Sequence, residues 1–494
     1  MHGVNDLAAP LSANSRGTYE GGKGKAMKIA GLVLALALFV TLGVPLCVAK
    51  VYLRWTESKL PAAKVLGVSE IVIPWSERAS ALLAEAKKQG YQRYVEVGAA
   101  QIADAVGAAE KANAARIILR GEAAEHDVLV ERAKQLRRAH PKLKVLVLSA
   151  HGKQPDMRGW LVFKKDGILQ VSSPTSQPWL DANLAAIRYE HGFESGVPLY
   201  SFTWDESDPL VKELGLKPAD YALAIAEAGA YHADLVLEVH EAQRKGLLSG
   251  DKNTLEDWEK VRRYLDFYKT WDETAADAEA RVCVLAEDYD ASFEALNLMA
   301  RHNIPFRVMK SSETKASELN ACDVVIAFAE LGKALTAALN EFAAKGGVVV
   351  LVKLHGPFPW EAAGAGADNG PSTTYTVGKG RVIALKGAIT DPETFAQDVR
   401  RLLAKSSVPV SLWNSLTMLV AAYPGKRAGE VMVELVNYDE ETTQVQVQVK
   451  GTFRFASLET PESGKSEKLQ TEQVNGFTQF VVPELVVGGR VTLK

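Results

Sequence analysis

Between residues 60 and 271, short apolar runs alternate with stretches whose apolar positions recur at helical spacing, the pattern of repeated strand–helix units. Seven runs predict strands: 70–74 (EIVIP), 93–97 (RYVEV), 116–120 (RIILR), 144–149 (KVLVLS), 168–172 (ILQVS), 199–204 (LYSFTW) and 234–239 (DLVLEV). Helical periodicity fills the gaps at 78–89, 102–112, 128–139, 180–194 and 219–230, and a short hairpin over 160–167 interrupts the fourth unit. The alternation predicts a parallel sheet. Two closures satisfy it: an irregular TIM (β/α) barrel over 60–275 whose eighth strand is not visible, or an open doubly wound sheet.

The pattern changes on either side. Residues 1–28 are rich in Gly, Ser, Ala and Asn without a period, which predicts a disordered tail. Residues 29–49 form an uncharged apolar run of about 21 residues, enough to cross ~30 Å of hydrocarbon. This predicts an N-terminal transmembrane helix or signal anchor, with Arg16, Lys23, Lys25 and Lys28 before it and Lys50, Arg54 and Lys59 after it. A cleaved signal peptide starting at Met27 is the rival reading. Both readings place the bulk of the chain outside the cytoplasm, as a single-pass membrane protein in the first case.

Residues 279–405 return to strand–helix alternation and predict a compact flavodoxin-like α/β domain. Its Gly-rich stretch 362–370 lacks the GxGxxG spacing of a phosphate cradle and reads as a surface loop. Residues 374–385 predict a hairpin turning on Gly378-Lys379-Gly380. From 408 to 494 strict alternation with turn residues predicts a small antiparallel β-sandwich.

Composition narrows the functional classes. The 494 residues are 47% hydrophobic and 24% charged with a net charge of −3, so no basic field favours nucleic acid. Cys47, Cys283 and Cys322 supply neither a disulfide framework nor a CxxC motif. The last two lie in apolar runs, where a thiol is expected to act as a small hydrophobe. No His/Asp/Glu spacing predicts a metal site, and nothing predicts a cofactor.

As an order of domains, and in the stretch VGKGRVIALKGAITDPETFAQDVRRLLA, the chain resembles multidomain glycoside hydrolases of the β-galactosidase kind. In these a TIM barrel is followed by a glutamine-amidotransferase-like trimerisation domain and a β-sandwich. The resemblance implies a carbohydrate ligand and self-association through the middle domain, as a homo-oligomer. The family's acid/base Asn-Glu pair ends the fourth strand, where this chain has Leu148-Ser149-Ala150-His151. That departure leaves two readings: a glycoside hydrolase with a different acid pair, or an inactive glycan-binding or scaffold component of an envelope polysaccharide system.

Glycoside hydrolysis needs two carboxyl groups flanking the scissile bond. Strand alternation turns Glu238 and Glu96 toward the barrel interior near the strand ends, and Asp205 follows its strand directly. These are the candidate catalytic acids. The plainer alternative for Glu238 is a carboxylate paired with Arg120 or His240 to stabilise the mouth. Trp179 and Trp204 are candidate sugar-stacking platforms. His240, Arg120, His151, Asp181 and Asn183 complete the candidate substrate-binding set.

Overall fold

The computed structural model describes residues 50–494 apart from 77–78, 115, 149–163, 166–167, 170–182, 194–196, 203–214, 270–276, 363 and 440. The apolar segment 29–49 lies outside the described residues. Among the described residues no helix is long and apolar enough to cross a membrane.

Among the described residues the first sheet has seven parallel strands: β1 (Val51–Arg54), β2 (Glu70–Pro74), β3 (Gln92–Gly98), β4 (Arg116–Arg120), β5 (Lys144–Leu148), β6 (Leu199–Phe202) and β7 (Asp234–Glu238). β1 pairs with β2 on one side and with β7 on the other, so the first and last strands close the ring. Among the described residues β5 and β6 do not pair, which leaves one seam in a nearly closed barrel. The closed reading of the sequence therefore holds and the open doubly wound sheet does not.

Two strand expectations are corrected. The unseen strand is β1, four residues directly after the apolar segment, where VYLR reads as charged flank rather than strand. The run at 168–172 is no barrel strand over its described part: Ile168–Leu169 pairs antiparallel with Lys164–Lys165. A short apolar run does not by its spacing alone distinguish a hairpin from a parallel strand.

Alternation sorts the barrel residues into two sets. Leu53, Ile71, Ile73, Val95, Val97, Ile117, Leu119, Leu235 and Leu237 pack outward into the main core with the surrounding helices. Tyr52, Val72, Tyr94, Ile118, Leu148 and Val236 form a separate inner cluster. Helix Pro218–Ala230 is buried from Tyr221 to Ala230 because it lies between barrel, helix Lys252–Lys269 and sandwich. Gly229 permits that approach, since a Cβ there would sit 2.2 Å from the Tyr268 ring.

The middle domain has five parallel strands in the spatial order Phe306–Lys310, Val282–Ala286, Val324–Ala327, Val348–Val352, Gly380–Leu385, the order of a doubly wound sheet. Antiparallel Ser372–Val377 completes the expected hairpin, with Gly378 at φ +56° in its turn. Cys283 and Cys322 are bonded as a disulfide, their Cα atoms 5.9 Å apart, which corrects the expectation of two independent thiols. Thirty-nine residues separate them in sequence, and only the pairing of adjacent strands brings them together.

The C-terminal sandwich packs a four-stranded antiparallel sheet on a five-stranded one. Its core includes Val433, Leu435, Val447, Val482 and Val491, contributed by both sheets.

Candidate functional site

Two residues beyond four of the six inner positions, at the C-terminal ends of the barrel strands, the inward row becomes charged. Tyr52 is followed by Arg54, Tyr94 by Glu96, Ile118 by Arg120 and Val236 by Glu238. The rule that puts Tyr52 and Val236 in the interior therefore puts two arginines and two glutamates at one mouth.

These four side chains form a closed ring of alternating charge. Arg54 Nε donates to both oxygens of Glu96, at 3.1 and 3.0 Å, and its Nη2 donates to Oε1 at 2.9 Å. Arg120 Nη1 bridges the glutamates, reaching Glu96 Oε2 at 3.2 Å and Glu238 Oε1 at 3.0 Å. Arg54 Nη1 closes the ring at 3.6 Å from Glu238 Oε2. Glu96 is only 6% exposed and Glu238 21%. Burial opposes the charge on Arg54, but hydrogen bonding to Glu96 and the charges of Glu96 and Glu238 outweigh it and hold the guanidinium above its ordinary value.

The other expected residues fall in several places. His240 follows β7 and caps helix Glu241–Ser249, its Nδ1 accepting from Ala242 N–H at 3.3 Å while its own backbone N–H donates to Tyr221 Oη at 2.9 Å. Asn183 is 6% exposed and away from the ring, its backbone N–H and side-chain amide donating to Glu227 at 3.2 and 2.5 Å. Tyr438 of the sandwich donates to the same carboxylate, so Glu227 joins Asn183 and its own helix to the sandwich. Asp205, Trp179, Trp204, His151 and Asp181 lie outside the described residues.

Sequence reasoning missed Arg54, the residue that holds Glu96 most closely. A signal was present, because VYLR ends in an inward charge as RIILR and DLVLE do. It also missed Arg244, which donates to Glu57 Oε1 at 3.1 Å and to the carbonyl of Val239. Among the described residues no group of His, Cys, Asp and Glu is arranged to hold a metal ion.

No protein-family model matches the sequence, and no curated protein matches it. Solved structures do. α-L-Fucosidase isoenzyme 2 from Paenibacillus thiaminolyticus superposes with TM-score 0.61 at 13% identity, over 90% of this chain and 99% of that one. The chain is glycoside-hydrolase-like in fold. A β-galactosidase from Bacillus circulans sp. alkalophilus also matches, with TM-score 0.46 at 10% identity over 91% of this chain and all of that one. In this glycoside-hydrolase-like architecture the ring stands at the strand ends where β/α barrels carry their active sites.

Proposed function

We propose that the barrel mouth binds a carbohydrate and that Glu96 and Glu238 recognise it without serving as a hydrolytic acid pair. The observation that carries this reading is the closed ring. Acid/base cleavage needs one carboxyl group free to give a proton to the leaving oxygen and another free to attack or to activate water. Glu96 has both oxygens engaged by guanidinium N–H donors, and Glu238 is bridged to it through Arg120. The absence of the Asn-Glu pair at 148–151 agrees with this. A mouth of fixed donors and acceptors suits sugar hydroxyls, and the glycoside-hydrolase-like fold supports that ligand class.

The setting we propose is extracytoplasmic, with the apolar segment 29–49 as membrane anchor and the chain as a binding component of an envelope polysaccharide system. The Cys283–Cys322 disulfide supports it, because such bonds persist in oxidising compartments. Cys283 and Cys322 of the chain isolated from cells should resist alkylation until reduced; labelling of these two without reductant would contradict the setting.

The decisive experiment screens the full chain against a polysaccharide panel for binding and for turnover. Binding without product is expected, and Glu238→Gln should weaken binding by about tenfold or more, the worth of a hydrogen bond to a charged group. Sustained hydrolysis that Glu238→Gln abolishes would overturn the silent reading and restore the acid pair.

A further inference from the structure

A second polar site lies away from the barrel mouth, where the barrel, middle domain and sandwich meet. Helix Leu184–Phe193 rests on the edge strand Phe306–Lys310, and Gly192 allows the contact, since a Cβ there would lie 2.5 Å from the carbonyl oxygen of Val308. One turn earlier Arg188 extends its guanidinium over the Phe306 ring, 4.8 Å from the centroid. Arg188, His191, His232, Arg307, Lys310 and Tyr423 line a cavity of about 500 Å³. That volume is within the range of small-molecule sites.

Asp277 also lines the cavity and its charge acts on His191, and the remaining charges of the lining are unevenly satisfied. Lys310 is paired with Glu313 at 2.7 Å. Arg307 is occupied by the carbonyl of Glu318 at 2.7 Å and by the Cys283 sulfur at 3.2 Å. The Glu318 carboxylate accepts from the Lys315 backbone N–H at 2.6 Å. Arg188 differs: it is 9% exposed, and among the described residues the charges that act on it come from the phenols of Tyr423 and Tyr231 rather than from a carboxylate. Burial pushes its guanidinium below the ordinary value. A buried cation whose described neighbours are an aromatic face and two phenols is costly unless an anion joins it.

The imidazoles define the rest of the ligand. Burial holds both His191 and His232 below the ordinary histidine value, so each is neutral at pH 7 and carries one donor and one acceptor nitrogen. His191 Nε2 faces the carbonyl of Tyr231 at 3.4 Å, and His232 stacks on Tyr423 with centroids 4.0 Å apart. One guanidinium fork beside neutral donor–acceptor groups matches one carboxylate on a hydroxylated body, rather than a polyanion.

We propose that this cavity binds a small sugar acid, its carboxylate taken by the Arg188 fork and its hydroxyls facing His191 and His232. The site is independent of the barrel-mouth reading. The test is calorimetric titration of the full chain with D-glucuronate, the methyl ester of D-glucuronate, D-glucose and inorganic phosphate. Glucuronate should bind saturably at one site, with the ester, glucose and phosphate at least about tenfold weaker, as expected for loss of a charge-assisted hydrogen bond or of the hydroxyl contacts. Arg188→Gln should abolish glucuronate binding. Absence of saturable glucuronate binding, an ester that binds as well as the acid, or phosphate that binds equally well would each overturn the assignment. So would binding kept in Arg188→Gln and lost in Glu238→Gln, which would move the ligand to the barrel mouth. If Arg188→Gln does not fold, the acid-against-ester comparison on the unaltered chain decides.

Discussion

At its C-terminal end the barrel meets two carboxylates with two guanidinium groups; at its N-terminal end it meets Asp234 with a backbone N–H and a phenol. Lys50 N–H donates to Asp234 Oδ1 at 2.8 Å and Tyr52 Oη to Oδ2 at 3.0 Å. Asp234 is 8% exposed, about as buried as Glu96. Burial pushes its carboxyl up to about 6, against the lowering effect of those hydrogen bonds and of Lys144. Lys144 is itself held below its ordinary value, chiefly by burial. The same inward row of β7 thus supplies Asp234 at one end and Glu238 at the other, the first held by a backbone N–H and a phenol and the second by guanidinium groups. The mouth is a neutralised ring that can recognise polar groups. The floor is a carboxylate that sheds its charge within the physiological range.

The largest effect that would sharpen this contrast is Arg54→Met. It removes three hydrogen bonds from nearly buried Glu96 and should cost about 3 kcal/mol in urea unfolding, as for an ion pair broken on one side. Arg54→Met with Glu96→Leu should recover much of that loss. A single variant costing less than about 1 kcal/mol would mean that the ring behaves as a solvated surface contact.

At the floor the sign is opposite. The folded carboxyl of Asp234 sits near 6 against an ordinary 3.8, so the folded state holds its proton more tightly than the unfolded chain does. The stability from this linkage is fully present below about pH 4 and is lost as pH rises through about 6, amounting to about 3 kcal/mol by pH 7. Asp234→Asn should remove that slope, so unfolding free energies of the two proteins at pH 4, 5, 6 and 7 should converge or cross with rising pH. Parallel curves would sink the assignment.

The smallest expected change is Glu238→Gln. The amide keeps an acceptor for Arg120 and the group is partly exposed, so stability should fall by only about 1 kcal/mol. A loss as large as that of Arg54→Met would make Glu238 chiefly a structural member of the ring and erase the distinction between holding and recognising residues.

Much of this site was legible. In QRYVEVG, RIILR and DLVLE the period of two fixes which side chains face inward, and that sufficed to nominate Glu96, Arg120 and Glu238. The alternative of Glu238 paired with Arg120 is the arrangement found, at 3.0 Å. Arg54 escaped because its strand is four residues long and follows an apolar segment that dominates any reading of hydrophobicity. Ile168 was misplaced for the converse reason: a few alternating apolar residues look alike in a hairpin and in a parallel strand. The sequence places Asn183 at the start of the helix expected over 180–194 as a substrate-binding candidate, yet its amide is committed to Glu227 on a helix 44 residues further along.

By itself the sequence determined the local periods, and through them the parallel strand–helix units of the first domain, the doubly wound domain, the sandwich and the inward direction of three of the four ring residues. Periodicity is a property of neighbouring residues, so no distant partner is needed to read it. Tertiary structure alone decided which strands close the barrel, that Arg54 reaches Glu96 across 42 positions, that Cys283 meets Cys322, and that Arg188 is buried beside Phe306 of another domain. Those outcomes depend on which surfaces exclude water together, and charges far apart in the chain acquire their chemistry only once that burial sets their neighbours.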